Sequence, residues 1–236
     1  MRINQFLAAA GLGSRRACEE FIRAGKVRVN GRIMTDLATR IDPVADEVQV
    51  SNRPIRPHRK VYLAFHKPKG VVCSRDDEEG RKTLYDLLPK GSPPVFSVGR
   101  LDLDSEGLIF LTNDGAFANH LMHPRYKVPK IYEVVTKSSP TEKDLARLLK
   151  GVMIRIEEGE PMVRARAEKV ERFGPGAFQV TLTQGYKRQI RQMFYVIGHP
   201  VRSLKRIRIG LVELRDLPKG AVRDLKPEEI RSLMKA

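Results

Sequence analysis

Residues 99–115 read GRLDLDSEGLIFLTNDG and join a cluster of acidic residues to a strand and a turn. The apolar run LIFLT at 108–112 is typical of a buried strand, and the Asn-Asp-Gly that follows is a turn signal. The turn explains 113–115 but gives Arg100 and Asp102 no task. A carboxylate held beside a guanidinium can act as a nucleophile or a base, so Asp102 is a candidate catalytic residue.

The same acidic cluster could instead hold a metal ion. Asp102, Asp104, Glu106 and Gly107 match the first part of a calcium-binding EF-hand loop. The twelfth position of such a loop should be a bidentate Glu, but here it is Asn113. The flanking segments also have the patterns of strands and turns, not of paired helices. The sequence therefore predicts no metal site.

The charge of the whole chain points to a class of partner. Its 236 residues include 44 Lys and Arg against 28 Asp and Glu, a formal net charge of +16, which favours binding to nucleic acid. Hydrophobic residues make up 41% of the chain, enough for a packed core. The two cysteines, Cys18 and Cys73, form no disulfide or zinc pattern and indicate a reducing cytoplasm. No apolar run approaches the roughly 18 residues of a membrane span.

The first fifty residues predict a small α/β module. Two short helices precede KVRVNGRIM, in which Asn30-Gly31 predicts a tight turn between strands. Ser14 is a suitable N-cap for the second helix, so Arg15 and Arg16 fall in its first turn, where cations oppose the helix dipole. A bound phosphate would remove this conflict; the alternative is a pair of solvated arginines. The predicted RNA contacts of this module are Arg15, Arg16, Lys26 and Arg28.

The remainder of the chain predicts a linker and a larger domain. Residues 51–60, SNRPIRPHRK, contain two prolines and four cations without apolar periodicity, which is typical of an exposed linker. From 61 to 236, strands and helices mix without a regular βαβ repeat. The sequence thus predicts an α+β chain: the small module at 1–50, the linker, and a domain with a mixed, largely antiparallel sheet and flanking helices.

Four ordered segments resemble one enzyme family. GRLDLDSEGLIFLTNDG closely resembles the catalytic motif of the RsuA family of pseudouridine synthases. Also similar are KPKGVVCSRDDEEGRKTLYDLLP, LMHPRYKVPKIYEV with Lys130 and Tyr132, and QGYKRQIRQMFYVIGHPVRSLKRIRIG. The chain departs from the family pattern at His66, where Asn is usual, at Gln192, where a second Arg is common, and at Lys187, where Asn or His is frequent. The first fifty residues resemble the S-four-like RNA-binding domain that many members carry.

The resemblance implies roles for individual residues. Asp102 would be the catalytic aspartate, Tyr132 would pack on the target base, and Arg191 would pair with Asp102 and keep it ionised. On pattern alone, Tyr132 could equally be a half-buried strand residue and Arg191 a solvated helix cation. Isomerisation gains and loses no atoms, and no nucleotide-binding motif is present, so no cofactor is expected. Further RNA contacts are expected from Arg100, Lys130 and Arg188.

The resemblance also implies a substrate. Ribosomal RNA, free or in an assembly intermediate, is the expected partner. The compact GRLDLDSEGL form and the KPKGVV opening look more like the large-subunit branch and favour 23S rRNA. The alternatives are 16S rRNA, transfer RNA, or a non-catalytic assembly factor; the intact set Asp102, Tyr132 and Arg191 argues against the last. We expect a cytoplasmic monomer without a membrane partner.

Overall fold

The chain consists of two compact units. The computed structural model describes residues 1–235; Ala236, the last residue of the predicted larger domain, lies outside the described residues. The division between the units falls between Val61 and Tyr62. Each unit has its own hydrophobic core.

The first unit is the predicted α/β module. Its elements are α1 (Ile3–Ala9), α2 (Arg15–Arg23), β1 (Val27–Val29), β2 (Arg32–Met34), β3 (Val48–Val50) and β4 (Arg53–Pro54). The strands form an antiparallel sheet of order β2-β1-β3-β4, and both helices share its core. The Ser14 hydroxyl caps α2 by accepting a hydrogen bond from the N–H of Ala17. Asn30 and Gly31 both have positive φ, 49° and 80°, as a tight hairpin turn requires.

The first half of the predicted linker, 51–60, is instead part of this module. Ser51 and Asn52 adopt left-handed backbone angles, φ 48° and 62°, and reverse the chain into β4, which pairs with β3. Pro54 is tolerated because β4 is an edge strand, where a missing N–H breaks no ladder. Ile55 then packs partly buried against the core. Because of its prolines and charges, this segment was predicted to be a linker, although it contains a short strand.

The second unit is built on one large sheet. Its helices are α3 (Gly115–Met122), α4 (Glu142–Lys150), α5 (Gln189–Val196) and α6 (Pro227–Lys235). Its strands are β5 (Tyr62–Lys67), β6 (Phe96–Val98), β7 (Glu106–Thr112), β8 (Lys130–Thr136), β9 (Val152–Ile154), β10 (Val163–Ala165), β11 (Lys169–Gly174), β12 (Ala177–Leu182), β13 (Val201–Ile209), β14 (Val212–Glu213) and β15 (Val222–Asp224). The main path of the sheet runs β11-β12-β8-β13-β7-β5-β15, while β6 pairs with β7 and β14 with β13. Within the described chain only β13 and β7 run parallel, which confirms a mixed, largely antiparallel sheet.

Two cores stabilise this sheet. One lies where α4 and α5 pack on β8, β12 and β13, and it includes Phe178 and Phe194 with ring centroids 6.0 Å apart. The other lies where α3 and α6 pack on β5 and β7, and it includes Phe110 and Phe117. Burial of such aromatic side chains contributes roughly 1.5–3 kcal/mol each.

Strands β7 and β13 meet between the two cores. Gly107 of β7 makes their contact possible: a Cβ atom there would lie 2.2 Å from the carbonyl oxygen of Arg206, and its φ is +119°. Only glycine fits this combination of space and backbone angle. The parallel pairing places the start of β7, and the loop before it, beside the middle of β13.

No helix within residues 1–235 has the length and apolar character needed to cross a membrane.

Candidate active site

The acidic loop connects β6 to β7 in the second unit. Gly99 starts it with φ +74°, and the N–H of Ser105 donates to the carbonyl of Asp102 at 3.1 Å, closing a turn. Cys73 lies against the loop, with its sulfur 3.4 Å from the backbone nitrogen of Leu101. The loop places Asp102 just before β7, with a side chain that is 33% exposed.

A buried lysine fixes this loop to the sheet. Lys67, the last residue of β5, has no solvent exposure. Its ammonium donates to the carbonyl oxygens of Pro68, Asp102 and Ser105 at 3.0, 3.1 and 2.8 Å. Burial lowers the pKa of Lys67, and nearby negative groups, including Asp102 and Asp104, oppose this shift. This contact was not predicted from the sequence.

The two aspartates of the loop have different arginine partners. Arg188 donates two hydrogen bonds to the Asp104 carboxylate, at 3.2 and 3.1 Å. Arg191 donates to the Asp104 carbonyl at 2.9 Å, and its Nε lies 3.2 Å from Asp104 Oδ2. Burial alone would raise the pKa of Asp104, but the two guanidinium groups outweigh it and the pKa is lowered. Asp104 therefore does more than shape a turn.

The predicted pairing of Arg191 with Asp102 is wrong in this structure. The nearest arginine to the Asp102 carboxylate is Arg188, at 3.9 Å. Both arginines reach the loop from the start of α5, and the first carboxylate they meet is that of Asp104, two residues closer to β7. Arg191 nevertheless interacts electrostatically with both acids. Burial lowers its pKa, and the negative charges of Asp104 and Asp102 oppose that shift.

Tyr132 lies on β8, two strands away from β7 in the sheet. It is half-buried on β8 and packs against the core of α4 and α5. Its register partner on β13 is Arg206, and the register partner of Arg206 on β7 is Gly107. Three neighbouring strands thus bring the start of β7 and Tyr132 to one level of the sheet, about 10 Å apart at the usual strand spacing. Asp102, Tyr132 and Arg191 therefore gather in one region of the second unit.

Two more cations flank Tyr132. Arg206 is 4% exposed, its guanidinium carbon lies 6.0 Å from the Tyr132 ring centroid, and its Nε donates to the carbonyl of Leu108 at 2.6 Å. Lys130 is half-buried and donates to the carbonyl of Val128 at 3.2 Å. Burial, and then the charge of Arg206, lowers the pKa of Lys130 to about 8. Lys130 is one of the RNA contacts predicted from the sequence, and Arg206 is not.

The remaining predicted RNA contacts are surface cations. Arg100 is exposed in the acidic loop. Arg15, Arg16 and Lys26 are exposed in the first unit, and none of the three forms an ion pair within residues 1–235. Arg28 is half-buried and donates to the carbonyl of Gly31.

Arg15 also lines a basic cavity of the first unit that the sequence did not reveal. The cavity has a volume of about 330 Å³, and its lining residues are Met1, Arg2, Gln5, Arg15 and Arg40. Arg2 and Arg40 meet through an isolated antiparallel bridge. They are far apart in the sequence, so no local pattern signals their meeting.

Within residues 1–235 no group of three His, Cys, Asp or Glu side chains is arranged to hold a metal ion. The carboxylates of the acidic loop face arginines instead.

Comparison with protein families assigns both units. The family described as RNA pseudouridylate synthase matches residues 61–195, and the S4 domain family matches residues 1–61. The two matches cover the acidic loop, Tyr132 and Arg191, and the whole of the basic module.

Individual proteins agree with this assignment over their full length. The chain is 38% identical to the ribosomal large subunit pseudouridine synthase B of Bacillus subtilis, a match that covers 98% of this chain and 95% of that protein. It is 37% identical to an uncharacterized RNA pseudouridine synthase of Aquifex aeolicus, over 100% of this chain and 94% of that one. A crystal structure of a pseudouridylate synthase superimposes with a TM-score of 0.71 at 29% identity and covers 99% of both chains. The chain is therefore a member of the RNA pseudouridine synthase family that carries an N-terminal S4 domain.

Proposed function

We propose that this chain converts a specific uridine of large-subunit (23S) ribosomal RNA to pseudouridine, with Asp102 as the catalytic carboxylate and without a cofactor. The observation that carries the proposal is the geometry of the acidic loop. Lys67 fixes its backbone, while the Asp102 side chain stays one-third exposed, 3.9 Å from Arg188 at the start of α5. The large-subunit target is supported by the 38% identity to the ribosomal large subunit pseudouridine synthase B of Bacillus subtilis.

The chemistry needs a carboxylate and a way to hold a flipped base. Pseudouridine forms when the bond from C1′ of the ribose to N1 of uracil breaks, the base turns, and C5 bonds to C1′. A uridine in folded RNA must leave its stack to reach Asp102, and the ring of Tyr132 offers a surface for stacking. Asp102 acts on the extruded nucleotide as an anion, by attacking it or by stabilising positive charge at C1′.

The arginines of α5 organise the carboxylates. Arg188 and Arg191 hold Asp104 on the outer side of the loop, and Arg188 is close enough to Asp102 to favour its ionised form. A base that enters this region brings its own phosphate, and the exposed face of Arg188 is available to it.

The S4 domain supplies affinity without chemistry. Its exposed cations, Arg15, Arg16 and Lys26, and the basic cavity with Arg2 and Arg40 suit phosphate contacts. These contacts position RNA but carry no information on which uridine is modified.

Tritium release tests the proposal. Transcripts of 23S and 16S rRNA, each labelled with tritium at C5 of uridine, are incubated with the wild-type chain and with Asp102→Asn, as free RNA and as assembly intermediates. We expect release from 23S rRNA with wild type, because the C5–H bond is replaced, and no release with the variant. Mapping the modified position completes the assignment.

Each part of the proposal fails on a different result. Release from 16S rRNA alone overturns the large-subunit target but keeps the enzyme. Equal release by wild type and Asp102→Asn overturns the role of Asp102. No release from either RNA, with tight binding to both, points to a non-catalytic RNA-binding factor.

A further inference from the structure

Two buried cations and one half-buried cation lie on nearby strands of the sheet in the second unit. They are Lys67 of β5, Arg206 of β13 and Lys130 of β8. The ammonium of Lys67 is satisfied by three carbonyl oxygens of the acidic loop region, so its position has a structural explanation. Arg206 and Lys130 differ, because neither forms an ion pair with a carboxylate in the part of the chain that the structure describes.

Arg206 is an unusual buried arginine. It is 4% exposed, and among residues 1–235 the one hydrogen bond of its side chain runs from Nε to the carbonyl of Leu108. Its Nη2 is buried without any hydrogen-bond partner among the described residues. A buried guanidinium without a counter-ion costs several kcal/mol in desolvation. No group among residues 1–235 offsets that cost at Nη2.

Lys130, two residues before Tyr132, is a second cation without a carboxylate partner among the described residues. Its register partners on β12 and β13 are the apolar Leu182 and Ile209, and within the described residues its ammonium donates a hydrogen bond to the carbonyl of Val128 alone. The one charged group that shifts its pKa is Arg206, which repels it. Two like charges are thus held near each other in a partly dry environment, an arrangement that a negative charge between them would stabilise.

Tyr132 connects this cation pair, Lys130 and Arg206, to the substrate. Residues 130 and 132 lie on the same side of β8, because alternate residues of a strand share a face. Arg206 sits against the Tyr132 ring, with 6.0 Å between the guanidinium carbon and the ring centroid. A uracil stacked on Tyr132 would therefore lie within the field of both cations.

We propose that Lys130 and Arg206 stabilise the negative charge that the uracil ring acquires when its bond to the ribose breaks. This inference rests on the proposed function. When the C1′–N1 bond breaks, its two electrons leave with the base, and the charge spreads over N1, O2 and O4. The positive character at C1′ is compensated by the Asp102 carboxylate, so no charge is created overall. After the base turns, C5 bonds to C1′, the C5 proton is released to solvent and N1 takes up a proton, so the product is neutral.

The cation pair matters in the transition state because the charge is absent from the bound uridine. Preorganised positive groups aimed at a developing charge accelerate a reaction without tightening substrate binding. An RNA phosphate is a second anion that the pair could hold, but a phosphate is charged before and after the reaction. The two anions can be distinguished experimentally. A contact with a phosphate affects the dissociation constant of the RNA, whereas a contact with the uracil anion affects the reaction rate.

Single-turnover kinetics with saturating RNA test the inference. Lys130→Met and Arg206→Met each remove one charge, and Arg206→Lys keeps the charge without the guanidinium. The matched controls Lys137→Met, directly after β8, and Arg202→Met, on β13, remove exposed cations from the neighbouring sequence. We expect the rate of pseudouridine formation to fall about 100-fold or more in the Met variants, with dissociation constants within about twofold of wild type. Arg206→Lys should recover most of the rate.

The pH dependence gives a readout that a structural role would not move. The wild-type rate should fall as pH rises through about 8, where Lys130 loses its proton. Arg206→Met should move that loss to higher pH, because it removes the repulsion, and Lys130→Met should abolish it. The pH profile of the wild-type rate is measured without any variant, so it remains a valid test even if Arg206→Met does not fold.

An RNA substrate whose base is a better leaving group gives a further test of the inference. Fluorine at C5 stabilises the uracil anion, so breakage of the C1′–N1 bond in a 5-fluorouridine RNA should suffer less from Lys130→Met than breakage in the uridine RNA. Wild-type rates in both Met variants overturn the inference, as does a loss confined to the dissociation constant, which would assign the pair to an RNA phosphate. A wild-type chain that forms no pseudouridine at all overturns the proposed function and this inference with it.

Discussion

The ammonium of Lys67 donates a hydrogen bond to the backbone carbonyl of Asp102, 3.1 Å away, from a position without solvent exposure. The contact holds the main chain of the acidic loop and leaves the Asp102 carboxylate partly exposed. The same ammonium reaches Ser105 on the other side of the turn. The loop is thus fixed at both ends by one side chain.

Lys67→Met should damage catalysis and stability together. The change leaves the carbonyl oxygens of Asp102 and Ser105 buried without a donor, at a cost of about 1–3 kcal/mol for each. It also loosens the backbone that positions the Asp102 side chain. We expect a single-turnover rate at least about tenfold lower and a lower free energy of unfolding in urea.

Lys69→Met is the matched control for that change. Lys69 lies two residues along the same segment and is exposed. It should leave both the rate at saturating RNA and the unfolding free energy near wild type. If the two variants behave alike, Lys67 acts through its positive charge near the RNA and not by supporting the loop.

Gly107→Ala should separate β7 from β13. Its Cβ would lie 2.2 Å from the carbonyl oxygen and 2.5 Å from the nitrogen of Arg206, and φ is +119°. Since backbone atoms cannot move aside like a flexible side chain, we expect a loss of about 3 kcal/mol or more in the free energy of unfolding. The matched variant Gly99→Ala also has positive φ but no atom within 4 Å of the new Cβ. It should cost only about 1–2 kcal/mol, so equal losses would contradict the steric explanation.

The sequence predicts candidate catalytic residues more readily than the contacts that hold them in place. Asp102 and Tyr132 stand in recognisable segments, and the alternation and turn signals around them predicted strands that the structure contains. The role of Lys67 depends on burial, which is set by pairing of β5 with β7 and is invisible in a segment that reads as a basic turn. The choice of Arg191 between two aspartates of one loop depends on differences of a few ångströms that spacing does not encode.

His66 gives the stability a pH dependence that Asn would remove. It is buried, and its Nδ1 donates to the carbonyl of Leu217 at 2.7 Å, while burial lowers its pKa; Glu106 faces it as an acid, and Lys205 and Lys219 as cations. Because the unfolded chain takes up this proton at higher pH than the folded chain, stability should decline as pH falls below about 6.5.

Urea unfolding at pH 7.5 and 5.5 measures this contribution. His66→Asn should show a smaller difference between the two pH values than wild type, since an amide can donate to the Leu217 carbonyl without titrating. The exposed His58→Asn serves as the control and should keep the wild-type difference. An unchanged difference in His66→Asn would mean that other groups cause the acid sensitivity.

Arg15→Gln and Arg16→Gln should weaken RNA binding without slowing the chemistry. Both side chains are exposed in the first turn of α2 and form no ion pair within the described residues, so each is available to a phosphate. Loss of one phosphate contact should lower the slope of log affinity against log salt by about 1. Arg23→Gln is the control on the same helix, because Arg23 already pairs with Glu19 and Glu20. A rate at saturating RNA that drops in Arg15→Gln as far as in Asp102→Asn would contradict a division between binding in the S4 domain and catalysis in the second unit.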